Sequence, residues 1–334
     1  MSKIPITTLG RTSLTVSRMG LGLAALGRPG YINIGHSRDL SGRYAPATME
    51  EHTHEVLDAA FLAGIRYVDT ARSYGRGEEF LGSWLHDRDI SKADISIGSK
   101  WGYTYTANWQ VKAEHHEVKD HSLPVFQQQW KETQANLGDY LGVYHIHSAT
   151  LESGVLDRQD VLKQLAIHRN NGLYIGLSLS GTGQADTLKK ALDVHIDGFP
   201  LFSSVQATWN ILEPSLGPLL AEAHNAGMGV IIKEALANGR LTSRNVNKEF
   251  ADKRAMLEEE ATILETSQEA LALAAVLAQP WVDVVLSGAT TQDQLSDNLR
   301  AFDVPFAQAD QDKLALLSET PAAYWGKRSE LLWN

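Results

Sequence analysis

The chain has 334 residues, 43% hydrophobic and 21% charged, which is enough apolar material for one large α/β domain. Asp and Glu number 40 against 30 Lys and Arg, a formal net charge of −10 that disfavours non-specific nucleic-acid binding and anionic membranes. There is no cysteine, so disulfides, zinc-thiolate sites and thiol nucleophiles are excluded.

Met1–Thr8 carries no apolar signal-peptide core. No run reaches the length of a membrane span, since Leu271–Val285 is interrupted by Gln279, Pro280 and Asp283. These features lead us to expect a cytoplasmic protein without membrane or nucleic-acid partners. Short apolar runs then alternate with segments of helical period. In chain order the spacing predicts strand Val16–Gly22, helix Glu50–Ala63, strand Ile65–Asp69, helix Glu78–Leu85, strand Ile95–Lys100 and helix Pro124–Leu137. It continues with strand Gly142–His147, helix Arg158–Asn170, strand Leu173–Ser178, helix Gln184–Asp193, strand Ser203–Gln206 and helix Pro214–Asn225. The last elements are strand Gly229–Lys233, helix Ser267–Ala278, strand Val282–Leu286 and helix Gln292–Arg300. Gly64 and Gly172 follow helical patterns, where a left-handed cap favours glycine.

Strand–helix alternation argues for parallel βαβ units with strands buried on both faces. Eight units without an evident linker favour a closed (β/α)8 barrel, the TIM-barrel architecture, spanning 1–334 as a single domain. Two stretches exceed the bare barrel: Arg28–Thr48 after the first strand and Trp101–Ser122 after the third. Both would emerge at the C-terminal mouth, where long loops serve a site or a subunit seam.

Four polar residues stand at or just past strand ends: Asp69, Tyr74, Lys100 and His147. Taken singly, each reads as a cap, a packing ring, a solvated stem or a core histidine. In a parallel barrel, however, the ends of strands two, three and four meet on one face. Charged groups that end buried strands are costly unless paired or used.

Here the sequence resembles the aldo-keto reductases. Tyr67–Gly82 looks like that family's first signature, Ile97–Lys100 its lysine strand and Leu137–His147 its histidine strand, with His147 rather than His145 in register. Gly172–Ser178, Val205–Asn210, Ala235–Thr242 and Ser287–Asn298 resemble strands five and six and two cofactor-clamping loops. The resemblance implies hydride transfer between a nicotinamide cofactor and a small carbonyl or alcohol. Tyr74 would be the general acid and base, Lys100 would lower its pKa, Asp69 would hold Lys100 charged, and His147 would hydrogen-bond the substrate oxygen. It further implies cofactor contacts from Gly22, from Ser178 and Gln206 on the carboxamide, from Trp209 stacked on the nicotinamide, and from Lys233, Leu236 and Asn238 along the pyrophosphate. Gly288, Thr290, Gln294 and Asn298 would serve the adenosine end.

Three departures stand out. Leu179 follows Ser178 where many members have asparagine, so that Ser180 becomes a substitute. Glu234 follows Lys233 near the pyrophosphate and should point away from it. Gln294 replaces an arginine of phosphate-preferring members, so NADP(H) is favoured by family habit while NAD(H) stays open. No metal is expected: His115, His116 and His121 lack ligand spacing. The aromatics Tyr103, Tyr105, Trp109, Tyr324 and Trp325 are candidates for the pocket wall or for the seam of a homo-oligomer. A cofactor-binding regulatory module with little turnover is the alternative, and a barrel enzyme with Lys100 as a Schiff-base nucleophile is a third reading.

Overall fold

The computed structural model describes residues 3–334. Eight parallel strands close into a barrel: β1 Met19–Gly22, β2 Tyr67–Asp69, β3 Ser96–Trp101, β4 Leu141–Ala149, β5 Tyr174–Leu179, β6 Ser204–Thr208, β7 Gly229–Lys233 and β8 Val284–Ser287. Each strand pairs with its neighbours in sequence, and β8 returns to β1 with Ser287 opposite Leu21. Their β-branched residues, Val68, Ile97, Ile175, Val205 and Val230 among them, are fully or almost fully buried, as strands covered on both faces require.

The outer layer is α1 Pro46–Ala63, α2 Gly77–Asp87, α3 Leu123–Leu137, α4 Gln159–Asn170, α5 Gln184–Leu192, α6 Gly217–Asn225, α7 Gln268–Leu277 and α8 Gln292–Leu299. All eight expected helices are present, with ends displaced by a few residues. Helix α1 stops at Gly64, whose φ of 101° lets its N–H reach back to the carbonyls of Ala60 and Phe61.

The first expected strand is divided. Thr15–Ser17 pairs with Ile6–Thr8 in an antiparallel hairpin, and the barrel strand begins only at Met19. Ser17 Oγ donates to the Met19 carbonyl at 2.6 Å, a side-chain bond that breaks the run. This hairpin plugs the N-terminal end of the barrel: Leu9 and Val16 pack with Tyr67, Val143, Ile231 and Val284. Helix α7 is buried over almost all its length because Ala251–Ile263 and Pro321–Ser329, two helices not foreseen from the sequence, help cover it. The two long loops also carry structure, a short helix at His36–Leu40 and a hairpin of Tyr103–Tyr105 with Glu117–Lys119. No helix among the described residues is long and apolar enough to cross a membrane.

Candidate active site

Strand β2 ends in Asp69, β3 carries Lys100 near its end, and β4 carries His147. Lys100 Nζ donates to Asp69 Oδ2 at 2.5 Å and to the Thr70 carbonyl at 2.8 Å. Gln206 Nε2, from β6, donates to Asp69 Oδ1 at 2.8 Å. The Lys100 side chain is wholly buried, and that of Asp69 is 3% exposed. Burial pushes the ammonium pKa down and the carboxyl pKa up, and the contact between them opposes both shifts.

Tyr74 sits on the turn between β2 and α2. The turn is seated by close backbone approach: a Cβ on Gly27 would lie 2.2 Å from the Tyr74 carbonyl oxygen. A Cβ on Gly75, at φ +60°, would lie 2.4 Å from the Gly27 carbonyl oxygen. Lys100 Nζ lies 4.7 Å from the Tyr74 ring centroid, and the His147 ring meets it edge-on at 5.6 Å. The four residues expected to meet do so.

Their electrostatics differ from expectation in one respect. Lys100 lies over the ring face, with donors committed to Asp69 and Thr70. Burial first, and then the charge of Asp69, push the Tyr74 phenol well above its ordinary pKa, and the cation opposing this is Arg28. The Lys100 ammonium over the ring is itself paired with Asp69. Tyr74 therefore stays protonated at neutral pH, as a proton donor must.

His147 is held neutral. Burial pushes its pKa well below the ordinary value, and the nearby charges of Lys100, Lys233 and Arg28 push it further. Its Nδ1 lies 3.4 Å from Ser73 Oγ. Its carbonyl faces His121 Nε2 at 2.8 Å. His145 instead packs on Ser204 in the barrel interior.

A cavity of about 420 Å³ opens above these groups. Among the expected cofactor contacts, Gly22, Gln206, Lys233, Leu236, Asn238, Gly288, Gln294 and Asn298 line it, as do Asp69, Tyr74 and His147. Three do not. Trp209 is buried, edge-on to Trp281, with Nε1 donating to the Pro214 carbonyl at 3.1 Å, so the indole is core packing rather than a stacking face. Ser178 is fully buried and its Oγ accepts from Ser148 N at 2.7 Å, supporting the left-handed bend that ends β4; Ser180 lines the cavity instead. Thr290 turns its N–H onto Gln294 Oε1 at 2.8 Å, and Ala289 takes its place in the wall.

Glu234 does not turn away from the cavity. It lines it, gripped by Arg328 Nε at 2.9 Å and 3.0 Å and by Lys233, and these cations overcome burial to hold its carboxyl at about 2. Tyr324 and Trp325 pack in the core, and Arg328 and Trp333 are the tail residues in the wall. Of the loop aromatics, Tyr103 packs on His147 at 4.9 Å, while Trp109 packs on Phe80. Among the described residues no cluster could hold a metal.

Sequence reasoning passed over Arg28 as anything but a loop start. Its guanidinium lies 5.3 Å from the Tyr74 ring, 4.7 Å from Trp333 and 5.4 Å from Tyr31, and it donates to the Ser73 carbonyl and to Glu117 Oε2. Position alone gave no signal, because these partners come together only when the loop folds over the mouth.

A phenol, a buried ammonium–carboxylate pair and an imidazole thus meet at the C-terminal mouth of an eight-stranded parallel barrel. Residues 18–319 match the model of the Aldo/keto reductase family, and the chain belongs to that family of nicotinamide-dependent oxidoreductases. It is similar to the uncharacterized oxidoreductase YqkF of Bacillus subtilis, 27% identical with 88% of this chain and 89% of that one covered. It is also similar to the aldo-keto reductase ausK of Emericella nidulans, 25% identical over 93% of this chain and 82% of that one. In fold it resembles aldo-keto reductase AKR11C1 from Bacillus halodurans in its holo form, with a TM-score of 0.74, 21% identity, and 95% and 97% of the two chains covered.

The cleft fits a dinucleotide by its own chemistry. Asn238 Oδ1 is buried in the wall without a hydrogen-bond partner among the described residues, so an acceptor is left for a ligand donor. A Cβ on Gly22 would meet only the Ser287 carbonyl, at 3.7 Å, so the strand end leaves room for a flat group.

Proposed function

We propose that the chain interconverts a small-molecule carbonyl and its alcohol, with Tyr74 giving the proton in reduction and taking it in oxidation. The nicotinamide, when bound, supplies or accepts the hydride. Tyr74 donates its Oη proton to the carbonyl oxygen as negative charge develops there. The His147 imidazole, kept neutral, contributes an N–H to the same oxygen and sets its angle. Lys100 and Arg28 place positive charge against the ring that becomes a phenolate, and Asp69 keeps Lys100 charged and fixed. Gln206 ties β6 to this cluster through Asp69 and offers its remaining amide atoms to the carboxamide. Lys233, Leu236 and Asn238 would hold the pyrophosphate, and Gly288, Gln294 and Asn298 the adenosine.

What carries this reading is the wholly buried Lys100–Asp69 pair set against the Tyr74 ring. The test is Tyr74→Phe in protein mixed with reduced cofactor and a reactive aldehyde. Turnover should fall by about 10²- to 10⁴-fold, the range that general acid–base groups contribute. Cofactor binding, followed by tryptophan fluorescence, should survive. Turnover equal to that of the parent would overturn the role of Tyr74, and dinucleotide binding without turnover in the parent would favour a regulatory module.

A further inference from the structure

The far end of the cavity is held by an ion pair that the reaction does not use. There the wall is formed by Arg244, Glu269, Asp293, Gln294, Asp297 and Asn298. Arg244 is the one cation of that set. Its guanidinium is already engaged in a fork: Nη1 donates to Asp39 Oδ2 at 2.8 Å, and Nη2 lies 2.8 Å from Oδ1. Asp39 comes from the short helix His36–Leu40 in the loop after β1, and its carboxylate is 5% exposed. Thr290 Oγ1 adds a donor at 3.1 Å. Burial opposes the charge, yet Arg244, Gln294 and Thr290 hold the carboxyl below the usual aspartate range. Gln294 Oε1 is occupied by the amide of Thr290 at 2.8 Å.

Arg244 thus has its fork taken by Asp39 and lies within reach of the Glu269 charge, while Asp297 in the same wall is paired with Arg300 at 3.2 Å and Asp293 stands exposed. A 2′-phosphate would need that fork, because a bidentate guanidinium is what makes phosphate recognition strong. It would also bring close to two negative charges against the Glu269 and Asp293 carboxylates of the same wall. A ribose hydroxyl needs none of this: it can donate to a carboxylate and adds no charge.

We infer that the Asp39–Arg244 pair selects a dinucleotide with free ribose hydroxyls, NAD(H), over its 2′-phosphorylated counterpart, NADP(H). The inference rests on the dinucleotide reading of the cavity and reverses the preference that family habit suggests. Nothing adjacent to Gln294 in sequence marks the pair, since Asp39 and Arg244 are 205 positions apart.

The test needs no turnover. Calorimetric titration of the purified chain with 5′-AMP and 2′,5′-ADP isolates the 2′-phosphate, and titration with NAD⁺ and NADP⁺ repeats the comparison in full ligands. The parent should bind the unphosphorylated member of each pair at least tenfold tighter. Asp39→Asn frees the guanidinium and should raise the 2′,5′-ADP to 5′-AMP affinity ratio at least tenfold; adding Arg244→Ala should abolish that gain. Parent protein that prefers 2′,5′-ADP and NADP⁺ overturns the inference and leaves the dinucleotide reading intact. Failure of both dinucleotides to bind overturns the two together. Should Asp39→Asn not fold, the parent's comparison of 5′-AMP with 2′,5′-ADP decides alone.

Discussion

The two ends of the one cavity handle charge in opposite ways. At the reaction end, Asp69 and Lys100 are enclosed, Glu234 is gripped by Arg328, and Arg28 is 4% exposed beneath Trp333. On the wall beside α8, Asp39 is buried but its partner Arg244 is 36% exposed, and Asp293 stands in solvent. Enclosed charges act through a weakly screening medium and can bias a proton transfer, whereas charges on a wet rim can do little more than sort ligands by sign. On the proposed reading, chemistry and selectivity are thus separated along one cleft.

The largest expected effect breaks the enclosed end. Asp69→Ala leaves the Lys100 ammonium buried without its carboxylate, which should cost about 3–5 kcal/mol in urea unfolding. Asp39→Ala at the rim should lose clearly less; equal losses would erase the contrast between the ends. Acid comes next. His36 and His121 are pushed from 6.5 to about 4, and His145 to about 3, chiefly by burial. Neutral in the folded chain, they contribute stability that is complete above pH 6.5 and is lost as pH falls towards 4, because the unfolded chain takes up protons first. The melting temperature should fall through that window, and His145→Gln should flatten part of the slope; an identical slope in that variant would remove His145 from the account.

A smaller effect concerns Lys233, whose ammonium burial brings down to about 8 against the opposing charge of Glu234. Its positive charge beside His147 and Asp69 is present below that pH and lost above it. Carbonyl reduction should slow several-fold as pH rises through 8, and Lys233→Met should show no such step. The smallest effect returns to the rim: Gln294→Arg should raise the NADP⁺ to NAD⁺ affinity ratio by roughly tenfold or less, since the added guanidinium still meets Asp39. An unchanged ratio would move Gln294 away from the ribose.

Much of the barrel was legible because buried parallel strands read as apolar runs and the outer helices other than the almost wholly buried α7 keep a 3.6-residue stripe. Helix Ala251–Ile263 escaped notice because only Leu257, Glu260 and Ala261 of its face are buried. The candidate quartet was legible for a different reason: Asp69, Lys100 and His147 are polar at the ends of apolar strands, and Tyr74 follows Asp69 by five residues on the turn that leaves β2. Arg28, Asp39 and the Glu234–Arg328 pair carry no such local mark. Glu234 and Arg328 lie 94 positions apart, and their pairing is a product of loops and tail closing over the mouth. Trp209 shows the converse error, a position that matched a motif but whose ring found Trp281 and a carbonyl in the core.

The interlock of Gly27 with the Tyr74–Gly75 backbone has a practical consequence for redesign. The location of the Tyr74 phenol is set by main chain meeting main chain, with Arg28 bracing the Ser73 carbonyl, so only the segment beyond Arg28 is a replaceable cap whose exchange leaves the phenol where it is. A graft that cuts before Gly27 instead imports a new seat for Tyr74, and substrate range and catalytic competence would then change together.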